Sequence, residues 1–284
     1  MKWQGRRRSG NVEDRRRIGG RGIAVGGGLG GIAILVLYLI LGGNPAELLS
    51  NLQAGAPAST TESGAPLTEK EQEMGEFVSV VLADTEDVWG AEFERMGRTY
   101  EQPHLVLFSG QVDSACGYAG ASVGPFYCPG DGKVYIDLEY FEDMQRELDA
   151  PGDFALAYVI AHEVGHHVQN LLGISDQVRE QQNLLSESKA NALSVRMELQ
   201  ADFLAGVWAY NARERADFLD QADIEEGLNA ASAVGDDRIM KKTQGHVVPD
   251  AFTHGTSEQR VRWFKKGLET GDFNQGDTFS AARL

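Results

Sequence analysis

Cysteine is nearly absent: the 284 residues hold only Cys116 and Cys128. The pair reads as a disulfide in an oxidising compartment or as reduced thiols in a cytosol; zinc binding is the weaker alternative, because no second thiol or histidine pair lies nearby. Basic charge is scarce beyond one end. Residues 1–22 carry Lys2, Arg6, Arg7, Arg8, Arg15, Arg16, Arg17 and Arg21 against Glu13 and Asp14, a net +6, so a total of −16 leaves −22 on the remainder. A body that acidic repels phosphate backbones, which excludes nucleic acid as a partner. Internal repeats are also lacking.

Charge is missing altogether from residues 23–41, IAVGGGLGGIAILVLYLIL. As a helix this run would be about 28 Å long, close to the hydrocarbon thickness of a bilayer. It lacks an Ala-x-Ala cleavage site and a polar face, which argues against a cleaved signal peptide and a buried soluble helix. The sequence therefore predicts a basic, unfolded cytoplasmic tail over 1–22, a transmembrane helix over 23–41, a Gly/Ala/Pro/Ser/Thr-rich linker over 42–66 and one folded domain over 67–284. By the positive-inside rule the tail stays in the cytoplasm and the domain lies outside the cytoplasmic membrane in a single-pass arrangement.

Within the domain, apolar spacing predicts a helix over 71–96 and strands over 103–108 and 133–138, followed by a helix over 139–148. A helix over 154–171 is read with Asp153 as its cap. Two helices over 176–215 should join near Ser186, and another over 221–242 should be interrupted near Gly235. Thr256 and Gln259 have capping-box spacing for a helix reaching Leu268, with a polar tail over 274–284. The fold class expected is α+β, mainly helical, with a small sheet.

What the sequence does contain is His162-Glu163-Val164-Gly165-His166. On a helix, residues four apart share a face, so both imidazoles can reach one ion. Glu163 then sits beside the ion, placed to take a proton from water. His167, turned about 140° from His162, is not expected to be a ligand. A catalytic zinc ion, Zn2+, needs a third protein ligand. Glu198 is the best candidate, with Asp202 one turn later on the same face as the acceptor that orients a ligand histidine. Glu187 is a lesser alternative.

These residues resemble the gluzincin metallopeptidases. The chain is more closely similar to the bacterial neutral zinc metallopeptidase family, through Trp3-Gln4-Gly5-Arg6-Arg7-Arg8, Asn11-Val12-Glu13-Asp14-Arg15, one membrane segment, Gly124-Pro125-Phe126-Tyr127-Cys128-Pro129 and His254-Gly255-Thr256-Ser257-Glu258-Gln259-Arg260. The resemblance implies a zincin-like domain and a membrane-anchored zinc peptidase acting on peptide or protein substrates. It implies oxyanion stabilisation by His254, with His246 and Arg260 competing for that role or for substrate contact. It also implies that 135–137 form the edge strand that aligns an extended peptide. Two rivals remain open at this level: a membrane-tethered zincin-fold binding protein without turnover, and a zinc hydrolase of a non-peptide amide. Oligomeric state is not legible.

Overall fold

The computed structural model describes residues 1–17, 66–120, 124–138, 152–216 and 218–284. The expected membrane helix over 23–41, the linker over 42–66 up to residue 65, and the expected helix over 139–148 lie outside the described residues. Among the described residues no helix is long and apolar enough to cross a membrane. One compact unit comprises Met1–Arg15 together with Thr68–Leu284; Arg16–Leu67 form a second.

The first unit is mainly helical with a small sheet. Its elements in chain order are β1 (Val12–Asp14), α1 (Glu69–Arg95), β2 (His104–Phe108), β3 (Gln111–Ser114), β4 (Gly117–Gly120), β5 (Phe126–Cys128) and β6 (Lys133–Asp137). There follow α2 (Asp153–Leu171), α3 (Ile174–Gln182), α4 (Glu187–Ala216), α5 (Gln221–Ala233), α6 (Asp236–Gln244) and α7 (Ser257–Thr270). The main sheet runs β1-β2-β6-β5, with β1, β2 and β6 parallel and β5 antiparallel to β6. β2 is buried from Leu105 to Phe108, as the unbroken apolar run LVLF requires of a strand covered on both faces. β3 and β4 form a separate hairpin, and the Cys116–Cys128 disulfide ties it to β5.

The helix boundaries follow the sequence closely where the chain supplies its own caps. Thr68 with Glu71, and Thr256 with Gln259, form complete capping boxes at the starts of α1 and α7. α2 is apolar all round because it is central, packing against α1, α4 and α5.

Four expectations are corrected. Residues 1–15 are no unfolded tail: β1 extends the sheet in register with β2, Val12 opposite Leu105, and Trp3 is buried edge-on against Phe77 at 5.6 Å. Their arginines, which suggested solvation, meet acids of α1 instead: Arg6 lies 3.5 Å from Asp84, Arg7 3.0 Å from Glu86 and Arg8 2.7 Å from Glu76. Asp153 does not cap α2; Gly152 holds that position without a side-chain bond, and Asp153 lies 3.2 Å from the Met1 amino group. The segment 135–137 is not an edge, since β6 is flanked by β2 and β5. Finally, the C-terminal residues dock on α4, where buried Thr278 donates to the Arg196 carbonyl at 2.6 Å and Gln200 donates to the Gly276 carbonyl at 3.0 Å.

Candidate metal centre

α2 presents His162 and His166 with ring centroids 4.8 Å apart. α4 crosses close enough to deliver Glu198 because residue 165 is glycine: a Cβ there would stand 3.1 Å from the Ala201 carbonyl oxygen and 3.2 Å from its Cα. Glu198 then lies between the imidazoles, Oε2 at 3.1 Å from His162 Nε2 and Oε1 at 3.3 Å from His166 Nε2. The candidate ligand atoms of these three residues all fall within 4.8 Å of one another. Two imidazole nitrogens and a carboxylate oxygen so spaced fit a zinc ion, whose bonds to such atoms are roughly 2.0–2.2 Å long.

Each histidine's other nitrogen is engaged. His162 Nδ1 lies 2.8 Å from Asp202 Oδ1, and Asp202 also receives Arg260 Nε at 2.9 Å and the Tyr158 hydroxyl at 2.5 Å. His166 Nδ1 lies 2.9 Å from Gln169 Oε1. The Gln169 amide can face only one way: its NH2 group donates to the Met197 carbonyl at 2.8 Å and to Gln200 Oε1 at 3.0 Å, leaving its oxygen for His166. Both rings therefore donate through Nδ1–H and present Nε2 to the shared space.

The site favours cations. Burial disfavours imidazolium, yet Asp202 and Glu198 outweigh it and push His162 up to about 10; His166 is raised against burial by Glu198. Burial would raise Asp202 as well, but the Arg260 charge and then His162 hold it down at about 2. Glu198 is likewise held well below the carboxylate range, against burial, by the two histidines.

Glu163 is buried and lines a cleft of about 530 Å³ that also contains His162, His166 and Glu198. Among the described residues β5 is the terminal strand of the sheet, and its Phe126 and Tyr127 line the same cleft. His254 reaches the cleft from the loop before α7, half-exposed, with Nδ1 3.2 Å from Asp236 Oδ1. That bond, against burial, raises its pKa. Asp236 also accepts the backbone N–H groups of Thr253, His254 and Gly255, at 2.9, 2.7 and 3.0 Å, and so builds the loop. His246 is exposed, bonded to the Gln244 carbonyl at 3.1 Å, and does not line the cleft. Arg260 borders the cleft, but its guanidinium is spent on Asp202, Tyr158 and the Val234 carbonyl. Glu187, at the start of α4, is not among the grouped ligand atoms.

Sequence reasoning missed several residues here. Gln169 was accessible in principle, three residues after His166 on the same helical face. Tyr158, one turn before His162, was accessible by the same rule. Asp236 and the pairing of Arg260 with Asp202 carry no local signal. His167, away from the metal ligands, lies 3.1 Å from the Tyr127 hydroxyl and 2.6 Å from the Glu101 carbonyl, and so fastens β5 to α2.

Comparison with known proteins agrees with this chemistry. A family model described as "Putative neutral zinc metallopeptidase" matches residues 1–279. The chain is 50% identical over 285 residues to the uncharacterized protein YpfJ of Escherichia coli (strain K12), covering 98% of this chain and 99% of that one. It is 41% identical over 261 residues to the uncharacterized protein Rv2575 of Mycobacterium tuberculosis, covering 87% and 86% respectively. No solved structure gives a significant match.

Proposed function

The chain belongs to the neutral zinc metallopeptidase family, and we propose that it is a zinc-dependent endopeptidase with Glu163 as its general base. The observation that carries this reading is the convergence of His162 Nε2, His166 Nε2 and Glu198 beside Glu163 in one cleft. A zinc ion held by those three side chains would supply a polarised carbonyl and an acidified water. Glu163 would take one proton from the attacking water as its oxygen bonds to the carbonyl carbon, and return that proton to the amine nitrogen when the C–N bond then breaks. His254 is the residue on the cleft wall suited to the oxyanion, and Asp236 favours its charged form by orienting Nδ1. The side of β5 that no described strand pairs would offer main-chain groups to an extended peptide, which gives affinity with little sequence preference. Attachment to a membrane through residues 23–41 belongs to the same reading, on their apolar composition and freedom from charge.

The test uses the full chain, since β1 is part of the fold. Purified protein with zinc should cleave an unstructured substrate such as casein, and a chelator should abolish the cleavage. Cleavage that persists after the metal is removed would overturn the assignment.

A further inference from the structure

The N-terminal residues and the site-bearing domain are usually separable when an apolar run lies between them; here they are not. The Leu105 amide donates to the Asn11 carbonyl at 2.8 Å, the Arg15 amide to the Leu107 carbonyl at 2.8 Å, and the Ser9 amide to the Ser79 carbonyl at 2.9 Å. Such bonds hold neighbouring strands about 4.8 Å apart, whereas a single crossing would set them roughly 30 Å of hydrocarbon apart. Withdrawing residues 1–15 would also strand Glu86. That carboxylate is buried in α1, and Arg7, Ser9 and Asn11 bond it at 3.0, 2.5 and 2.8 Å. A buried carboxylate without such partners is strongly unfavourable. Four of the seven arginines in the positive-inside count are matched within the same unit: Arg6 by Asp84, Arg7 by Glu86 and Asp87, Arg8 by Glu76 and Arg15 by Glu13. Their charge is directed at the protein's own acids, not at a membrane surface.

We infer that residues 1–15 and the site-bearing domain occupy the same face of any membrane the chain meets. No bilayer then separates the docked first residues from the cleft. This replaces the arrangement with tail and domain on opposite faces, and it stands whether or not the cleft proves to be a peptidase site.

Two variants of the full chain, each adding one cysteine to the disulfide-bonded Cys116 and Cys128, test it in intact cells treated with a membrane-impermeant maleimide, the unmodified chain serving as the blank. Gly10→Cys places a thiol at an exposed position where an added Cβ meets nothing within 4 Å, and Leu184→Cys places one on a side chain 86% exposed. The expected result is agreement: both labelled, or both protected until lysis. One labelled and the other protected would overturn the inference. Should Gly10→Cys fail to accumulate, Gln4→Cys at another exposed site replaces it. Packing is read separately with Trp3→Ala, which should lower the unfolding midpoint of the purified full chain by on the order of 10 °C. An unchanged midpoint would show that the segment is not docked.

Discussion

Gln169 Oε1 lies 2.9 Å from His166 Nδ1, and the amide that carries it is held by two further bonds, to the Met197 carbonyl and to Gln200. The histidine is thus oriented by a neutral group, whereas His162 is oriented by the ionised Asp202. Replacing Gln169 by Leu should weaken zinc binding by about 10- to 100-fold, as loss of such a partner does elsewhere. Gln169→Glu keeps an acceptor at the same place and should retain most of the affinity. Competition with a chromophoric chelator measures both; equal affinities for the Leu variant and the parent would show that Gln169 does not position His166.

Glu163→Gln removes the base and leaves the three ligands untouched. Zinc content by elemental analysis should be unchanged while casein turnover falls by about 10²- to 10⁴-fold. A fully active variant would take the base away from Glu163.

Asp202 and Arg260 are buried together, with Nε to Oδ2 at 2.9 Å. Arg260→Met leaves the buried Asp202 carboxylate with only His162 and the Tyr158 hydroxyl, and no fixed cation, and should cost roughly 3–5 kcal/mol in urea unfolding. The pH dependence follows from the depressed Asp202, about 2 in the fold against an ordinary 3.8. Its contribution is complete above about pH 4 and is lost as pH falls through about 2. The Arg260→Met variant should therefore lose stability at higher pH than the parent. Coincident acid transitions in the two proteins would contradict the pairing.

Zinc binding should also depend on pH in a way ordinary histidines would not produce. His162 is raised to about 10 in the metal-free fold, so its proton competes with the metal well above the usual histidine range. Affinity should keep rising with pH beyond 7 and towards 10. A plateau from pH 7 upwards would rule out that competition.

Gly165 sets the distance between α2 and α4. Gly165→Val drives a branched side chain into the Ala201 backbone, which should cost about 1–3 kcal/mol and move Glu198 away from the histidines. Unfolding and zinc titration of the same variant should both respond. A variant with lower stability but parental zinc affinity would mean that the helix spacing does not control the third ligand.

Much of this protein is written locally. The spacing of His162, Glu163 and His166 follows from the helical repeat, and the turn-rich breaks at Gly235 and before Ser257 end and start helices wherever they are placed. The cap at Thr256 acts within four residues and was legible for that reason; the equivalent box at Thr68 was missed, though its signal is just as local. Glu198 was reachable by chemistry, because a catalytic metal with two histidine ligands needs a third protein ligand. What only tertiary structure decided are the relations between distant segments. No local pattern says that Arg260 neutralises Asp202, that Asp236 builds the loop of His254, or that β5 and not β6 forms the sheet's edge. The basic first residues show the limit most plainly. Read alone, their charge indicates a solvated tail, because nothing in fifteen residues can bury a core. Their partners, Phe77, Glu86 and the open side of β2, lie more than sixty positions away, and only packing brings them together.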